Sequence, residues 1–196
     1  MIASLFATQI YQGKAKLSPA VKKEILKTAL RMKEVDDAGV KWCKKNYVNG
    51  YTSYGSLSQL HLQFSVFEEL KRALDQDVKN YIKTLGLKFE SGRLELSSLW
   101  VNVMPKNCYH AFHFHPLSVV SGTYYAQTSP NASPIRFEDP RAGLFMASPA
   151  RKIQHDLKPK TGEVILFESW LRHEVPPHSS AEDRVSVSFN YDWLDR

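Results

Sequence analysis

The sequence predicts an α+β chain, mainly β, in which an N-terminal helical part packs against a β-barrel of jelly-roll type. The first part has apolar residues at helical spacing. After Gly92 the chain consists of short runs rich in Val, Phe, Tyr, Ser and Thr, which turn residues such as Pro105-Lys106-Asn107 separate. A length of 196 residues suits one domain. We expect a single domain over 1–196, with 1–90 as a helical support region and 91–196 as the β core.

Capping residues and apolar spacing predict two helices. Ser18-Pro19 opens the first, because Ser is a good N-cap and Pro fits the first turn, and we expect this helix to end before Asp36. The stretch SVFE (65–68) has a capping-box pattern and opens the second helix, which Leu85-Gly86 ends. The segment SLFATQIYQG (4–13) alternates loosely and predicts a strand. The apolar positions of the two helices are Val21, Ile25 and Met32, then Phe67, Leu70, Leu74, Val78 and Ile82.

Composition and charge exclude several classes of protein. Hydrophobic residues are 43% and charged residues 23% of the chain, and no apolar run is long enough for a membrane span. Cys43 and Cys108 are expected to be reduced thiols of a cytoplasmic protein without a signal peptide. The net charge of +6 lies in residues 1–90, with 15 Lys and Arg against 9 Asp and Glu. We interpret it as solvated helix faces, so neither nucleic acid nor a membrane is an expected partner.

The segment YHAFHFHP (109–116) concentrates three of the seven histidines. In a strand, residues two apart point to the same side, so His113 and His115 share a face and can bind one metal ion if a third ligand joins them. His173, in FESWLRHEVPP, is a candidate for that ligand. On this evidence alone, a structural or surface pair of histidines is the more frequent case. His110 has the opposite parity and is expected in an outer shell or at the surface.

The last strand, RVSVSFNYDW, alternates polar and apolar residues. Arg184, Ser186, Ser188 and Asn190 share one face, which is either half-exposed to water or turned into a barrel that holds a charged ligand. A guanidinium can bind a carboxylate with two parallel hydrogen bonds, and a neighbouring hydroxyl can add a third. The second interpretation therefore predicts an acid-binding site 11 residues after His173.

Other polar and aromatic residues are weaker site candidates. Trp100, Asn102 and Tyr125 could line a pocket, although Trp100 and Tyr125 fit a core position equally well or better. Asn102 lies inside a strand, where its amide needs hydrogen-bond partners. His155 and His178 are in loop-like surroundings and are expected to be exposed. Asp139-Pro140-Arg141 fits a turn with solvated charges.

These elements together resemble the 2-oxoglutarate/Fe(II)-dependent oxygenase superfamily, and within it a group of small oxygenases. The resemblance spans most of the chain and is densest from residue 97 onward. It is carried by HFHP (113–116), SGTYY (121–125), DPR (139–141), SWLRH (169–173) and RVSVSFN (184–190), with WVN (100–102) and YTSYGSL (51–57) also fitting the group.

The resemblance implies a double-stranded β-helix, a cupin-like jelly roll, with Fe(II) held by His113, His115 and His173. It implies that 2-oxoglutarate, the co-substrate, binds Arg184 with help from Ser186. Asn102 and Tyr125 are further candidates for the co-substrate pocket, and no catalytic residue is expected beyond the metal ligands. His115 departs from the superfamily, because a carboxylate usually stands at that position. Asp139 or Glu174 could supply a carboxylate instead, but neither lies two residues from His113.

The implied function is a dioxygenase that hydroxylates an unknown substrate, a small molecule or a protein side chain, with release of succinate and CO2. Two alternatives stay open. One is a three-histidine cupin-type metal dioxygenase that does not use 2-oxoglutarate. The other is a non-catalytic jelly-roll module that binds metal and acid. The residues that select the substrate are expected in the helices and in loops 51–60 and 142–158. A homodimer is compatible with the sequence, which does not determine the oligomeric state.

Overall fold

The computed structural model describes residues 1–3, 5–89, 91–147 and 152–195. Its helices are α1 Pro19–Val35, α2 Asp37–Asn46, α3 Leu60–Gln63, α4 Ser65–Leu85 and α5 Leu144–Ala147. Its strands are β1 Tyr11–Lys14, β2 Tyr51–Thr52, β3 Arg93–Met104, β4 His110–His113, β5 Val120–Gln127, β6 Ile135–Glu138, β7 Gln154–Leu157, β8 Glu163–Glu168, β9 His173–Val175 and β10 Arg184–Leu194. Within these ranges, no helix is both long and apolar enough to cross a membrane.

The strands form two antiparallel sheets, and the predicted double-stranded β-helix is confirmed. The larger sheet has the order β1-β8-β5-β10-β3-β2, and the smaller has the order β4-β9-β6-β7. Consecutive strands therefore alternate between sheets over much of the chain, as in a jelly roll. β1 and β2 belong to the larger sheet although they come from the first 90 residues.

The larger sheet separates two apolar cores. On its outer face, Ile25 and Ala29 of α1 and Phe67 and Leu70 of α4 pack with residues of β3, β5 and β10 such as Val187. Between the sheets lies a smaller core of Tyr125, Ile135, Phe137, Ile165, Phe167 and Leu171. Because side chains alternate along a strand, each strand of the larger sheet presents one residue to the helices and the next to the barrel interior.

The helix boundaries follow the predicted signals with two exceptions. Ser18 caps α1 by accepting a hydrogen bond from the Val21 N–H, and Gly86 ends α4 in the left-handed conformation. The prediction of a capping box at 65–68 is wrong, because Ser65 is already the first helical residue. The N-cap is Phe64, which makes no side-chain hydrogen bond to the helix. The reason is that Phe64 also ends α3, so the two helices meet at one extended residue.

The second exception is α2, a helix that follows α1 directly and that the apolar spacing does not predict. Asp36 accepts a hydrogen bond from the Gly39 N–H and so caps this helix. Its other carboxylate oxygen accepts bonds from the hydroxyls of Tyr51 and Ser56. Asp36 thus ties the start of α2 to the loop that carries β2. The strand predicted over 4–13 is also shorter than expected: of its described residues and their neighbours, 11–14 pair with β8, while residue 4 lies outside the described residues.

Candidate metal and acid-binding site

Three histidines meet at the open end of the barrel. His113 ends β4 and lies opposite His173, the first residue of β9, while His115 follows two residues after β4. The backbone N–H of His115 donates to the carbonyl of Ser169, which holds this segment against the end of β8. One ring nitrogen from each of the three histidines lies within 4.8 Å of the other two. The structure therefore brings together the three side chains that the sequence nominates as ligands.

Hydrogen bonds fix which nitrogen each ring presents to the centre. The Nδ1 atoms of His113 and His173 lie 2.7 and 2.9 Å from the carbonyl oxygens of Ala111 and Leu171. The Nδ1 of His115 bonds the side-chain oxygen of Asn190. Since these oxygens only accept, each Nδ1 carries the proton and each Nε2 keeps a free lone pair. The His115 Nε2 is buried and makes no hydrogen bond in the described structure.

The surroundings keep these imidazoles neutral. Burial is the largest cause that lowers the pKa of His173 to about 2 and that of His115 to about 4, and the proximity of His113 lowers both further. Burial also lowers the pKa of His113. A neutral imidazole with an outward Nε2 lone pair is the form that coordinates a metal ion.

His110 lies in the cavity but outside the three-histidine group, which agrees with its predicted outer-shell location and not with a surface location. Its ring stacks on His113 with centroids 4.6 Å apart, and burial lowers its pKa to about 3. The cause is a β-bulge: His113 pairs with His173 and His110 pairs with Val175, so the four residues 110–113 of β4 lie opposite the three residues 173–175 of β9. A bulge reverses the side-chain parity on which the prediction depends.

Arg184 lies deep in the same cavity. Arg184 is only 3% exposed, and its guanidinium lies over the Tyr125 ring. Its Nε makes no hydrogen bond with the described residues. One terminal nitrogen donates to the Met104 sulfur at 3.3 Å, and a thioether is a weak acceptor. A buried guanidinium without an anionic partner is costly. Among the described residues the protein itself supplies no such partner.

The predicted polar face of β10 turns into the barrel. Arg184, Ser186 and Ser188 line the inner cavity together with Asn102, and Asn190 lines its outer continuation. Ser186 lies opposite Asn102 on β3 and opposite Tyr125 on β5. The side-chain oxygen of Asn102 and the hydroxyl of Tyr125 are buried without a hydrogen-bond partner in the described structure. The four predicted acid-binding residues therefore lie on adjacent strands, and three of them leave polar atoms unpaired.

Several other residues considered in the sequence analysis lie outside the site, and one of those predictions needs correction. His178 is buried, not exposed: its Nδ1 accepts from the Ser133 N–H and its Nε2 donates to the Glu182 carbonyl. His155 is exposed as predicted, but in strand β7. Glu174 forms an ion pair with Arg136, and the Asp139 carboxylate bonds Arg141 in the predicted turn.

A larger outer cavity adjoins the histidine group. It has a volume of about 450 Å³, and it shares Trp100, His110, His113 and His115 with the inner cavity. Trp42 and Asn46 of α2 also line it, and sequence reasoning missed them because it missed that helix. Of the predicted loops, 51–60 contributes Thr52 and Tyr54, whereas the described residues of 142–158 line a different surface cavity. Residues 148–151 of that second loop lie outside the described residues.

Comparison with known proteins agrees with this geometry. Residues 98–190 match the family model described as "Putative 2OG-Fe(II) oxygenase". This range contains the three histidines, Arg184 and Ser186. No curated protein matches the chain by sequence.

Solved structures share the fold at low sequence identity. The chain is similar to the epimerase SnoN from nogalamycin biosynthesis, described as a non-heme, alpha-ketoglutarate-dependent enzyme, with a TM-score of 0.67, 13% identity and coverage of 94% of this chain and 76% of that one. The chain is also similar to HygX from Streptomyces hygroscopicus with nickel and 2-oxoglutarate bound, with a TM-score of 0.66, 13% identity and coverage of 94% of this chain and 83% of that one. A prolyl-4-hydroxylase from Pseudomonas putida has a TM-score of 0.55 and 16% identity, with coverage of 96% of this chain and 86% of that one.

Proposed function

We propose a reaction for this chain on the premise that it belongs to the 2-oxoglutarate/Fe(II)-dependent oxygenase superfamily. The proposal is a dioxygenase that hydroxylates an organic substrate and releases succinate and CO2. The observation that carries it is the buried, unpaired Arg184 in the cavity that also contains the three-histidine group. That arrangement offers one site for a divalent metal and, next to it, one for a carboxylate.

The donor set fits Fe(II). Three neutral imidazoles would coordinate through Nε2, and their Nδ1–H groups donate to oxygens that orient the rings, which is the usual arrangement around metal-bound histidine. Three protein ligands leave coordination positions open for a chelating acid and oxygen. His115 replaces the usual carboxylate, so the site carries one negative charge fewer. Asn190 partly offsets this, because its side-chain oxygen accepts a hydrogen bond from the His115 Nδ1–H and raises the basicity of that ring.

The acid-binding residues fit 2-oxoglutarate. The Arg184 fork would bind the distal carboxylate, with the Ser186 hydroxyl as a further donor. The inner cavity measures only about 30 Å³, and Met104, whose sulfur accepts a hydrogen bond from the guanidinium, lines it. We propose that the carboxylate displaces this sulfur. Met has three rotatable bonds and moves readily, and a carboxylate is a much stronger acceptor.

When bound, iron and 2-oxoglutarate supply the oxidising chemistry that places one oxygen atom on the substrate and one in succinate. The protein holds both groups in position and excludes water. Phe167, Ile135 and Val175 form apolar walls around the polar centre of the cavity. A dry cavity strengthens the charge interactions of the guanidinium and limits side reactions.

The two alternatives differ in how they account for Arg184. A three-histidine dioxygenase without 2-oxoglutarate leaves a buried guanidinium with no function and no counter-charge. A non-catalytic module would bind the same metal and acid but would produce no succinate. The alternatives therefore differ from the proposal in measurable outcomes.

The test is to add Fe(II) and 2-oxoglutarate without oxygen, and then to admit oxygen. The proposal expects a weak visible charge-transfer band in the first step and oxygen-dependent succinate in the second. A three-histidine dioxygenase without 2-oxoglutarate gives no band, and an inert module gives the band but no succinate. His115→Ala should lose most of the bound iron. His155→Ala, which removes an exposed histidine from β7, is the matched control and should retain it.

A further inference from the structure

The outer cavity indicates the kind of substrate that reaches the histidine group. An aromatic wall runs inward from its mouth: the ring centroids of Tyr54 and Trp100 are 5.1 Å apart, and those of Trp100 and His115 are 6.1 Å apart. Trp42 of α2, Tyr109 and Phe114 also line the cavity. A molecule that enters along this wall therefore meets ring faces until it reaches the histidine group.

The outer cavity is lined by neutral side chains, the site histidines included. In the described part of the chain, no Asp, Glu, Lys or Arg lines the outer cavity. Lys44 and Lys45 follow Trp42 on α2, but they line a neighbouring surface cavity instead. A charged group drawn into the outer cavity would lose its hydration without gaining an oppositely charged partner, which is unfavourable.

The rim leaves apolar surface in contact with water. Tyr54 and Phe114 are each 54% exposed, and Val48, also at the mouth, is 46% exposed. Exposed apolar surface gathered around a cavity is typical of a binding site. The volume of about 450 Å³ lies within the range of small-molecule sites, which is roughly 300–1,000 Å³.

We infer that the substrate is an uncharged, largely apolar small molecule with a ring system, which stacks on Trp42, Tyr54 and Trp100 as its reacting carbon approaches the histidine group. The assignment of a reaction to this molecule rests on the proposed function. The recognition of the molecule does not, because the aromatic lining belongs to the protein with or without iron. Ring faces contribute both buried area and stacking energy to a neutral ring. An ionised group must lose its hydration here without an oppositely charged side chain, and a cation–π contact offsets that cost only in part for an ammonium group.

The experiment compares three probes of matched size: benzyl alcohol, benzylammonium and benzoate. Ligand-observed NMR titrations use the 196-residue chain loaded with zinc and 2-oxoglutarate, so that Arg184 is not open to benzoate. The titrations with benzyl alcohol and benzylammonium are repeated without metal. We expect benzyl alcohol to bind at least about tenfold more tightly than either charged probe, because each ionised group would be desolvated without a partner. Tighter or equal binding of benzylammonium or benzoate would overturn the inference.

Variants locate the binding in the outer cavity. Trp42→Ala and Tyr54→Ala should each weaken benzyl alcohol binding by about fivefold or more through the loss of a stacking face. Trp193→Ala removes a tryptophan that stacks on Phe89 outside the cavity, and it should leave the affinity unchanged. Tyr54 lies at the exposed rim, so we expect Tyr54→Ala to fold and to test the binding site even if Trp42→Ala does not fold. Unchanged affinity in Tyr54→Ala would refute the assignment.

The two proposals fail separately. If 2-oxoglutarate binds and supports succinate formation but the three probes bind alike, only the substrate class is wrong. If 2-oxoglutarate does not bind, the proposed function is wrong, and the preference for benzyl alcohol over benzylammonium in the metal-free protein still decides whether the cavity selects uncharged rings.

Discussion

Replacement of Arg184 by Lys tests the acid-binding site most directly. The substitution keeps the positive charge but removes the planar fork that can bind both oxygens of a carboxylate. Arg184 is almost fully buried on β10 opposite Met104, so water cannot replace the lost hydrogen bonds easily. We therefore expect a specific loss of 2-oxoglutarate affinity while the metal site stays intact.

The magnitude follows from the geometry of the pair. The guanidinium presents an unpaired Nε and a terminal nitrogen that now has only the Met104 sulfur as acceptor. The lysine ammonium can replace at most one of the two bonds that these donors would make. One hydrogen bond to a charged group contributes about 1.5–3 kcal/mol, which corresponds to a loss of roughly 10- to 150-fold in affinity.

Calorimetry on the zinc- or nickel-loaded protein measures this loss directly. Arg136→Lys is the matched control, because Arg136 lies on β6 in ion pairs with Asp156 and Glu174, outside the cavity. It should bind 2-oxoglutarate as the wild type does, and both variants should retain their metal. Equal 2-oxoglutarate affinity in wild type and Arg184→Lys would refute the reasoning from buried, unpaired donors.

Three further results follow from the structure. Between pH 7 and pH 5 the metal-free protein should lose stability against urea, because His110, His115 and His173 have folded-state pKa values well below 6.5: the unfolded chain takes up protons that the folded one does not. A flat profile over this range would contradict it. Asp36→Ala should destabilise the fold by about 2 kcal/mol or more in urea unfolding, since it removes the α2 cap and a buried bond to Tyr51, whereas an effect under about 0.5 kcal/mol would refute that role. Micromolar, salt-sensitive binding to mixed-sequence DNA or RNA should be absent at physiological salt, and its detection would show that the +6 charge has a nucleic-acid partner.

The polar strand shows what local periodicity can predict. Alternation with a period of two identifies the face of Arg184, Ser186, Ser188 and Asn190 from the sequence alone, because successive side chains of a strand must point to opposite sides. Periodicity cannot tell whether that face meets water or the barrel interior. That choice depends on which sheet covers it, and the smaller sheet with β4 and β9 does.

The helical part shows the limit of local signals. The apolar spacing of α1 and α4 is sufficient to predict them, since burial of one face dictates that spacing. The short helix α2 also buries one face, through Gly39 and Cys43, but its ten residues carry too few apolar positions for their spacing to predict a helix. It depends on Asp36, whose carboxylate also receives hydrogen bonds from Tyr51 and Ser56, 15 and 20 residues away. Trp42 could therefore not be placed in the outer cavity from the sequence.

The sequence by itself determined the fold class, because a helical pattern is followed by a series of short, turn-separated strands. It also determined the histidine pair at 113 and 115 and the polar face of the last strand, because both depend on residue spacing within one element. Only the tertiary structure decided the composition of the site. The bulge between β4 and β9 turns His110 toward His113, against the parity of an ideal strand. Distant packing buries His178 among backbone partners. A bulge and a long-range contact both depend on the strand that lies alongside, and no residue spacing within a single segment specifies that neighbour.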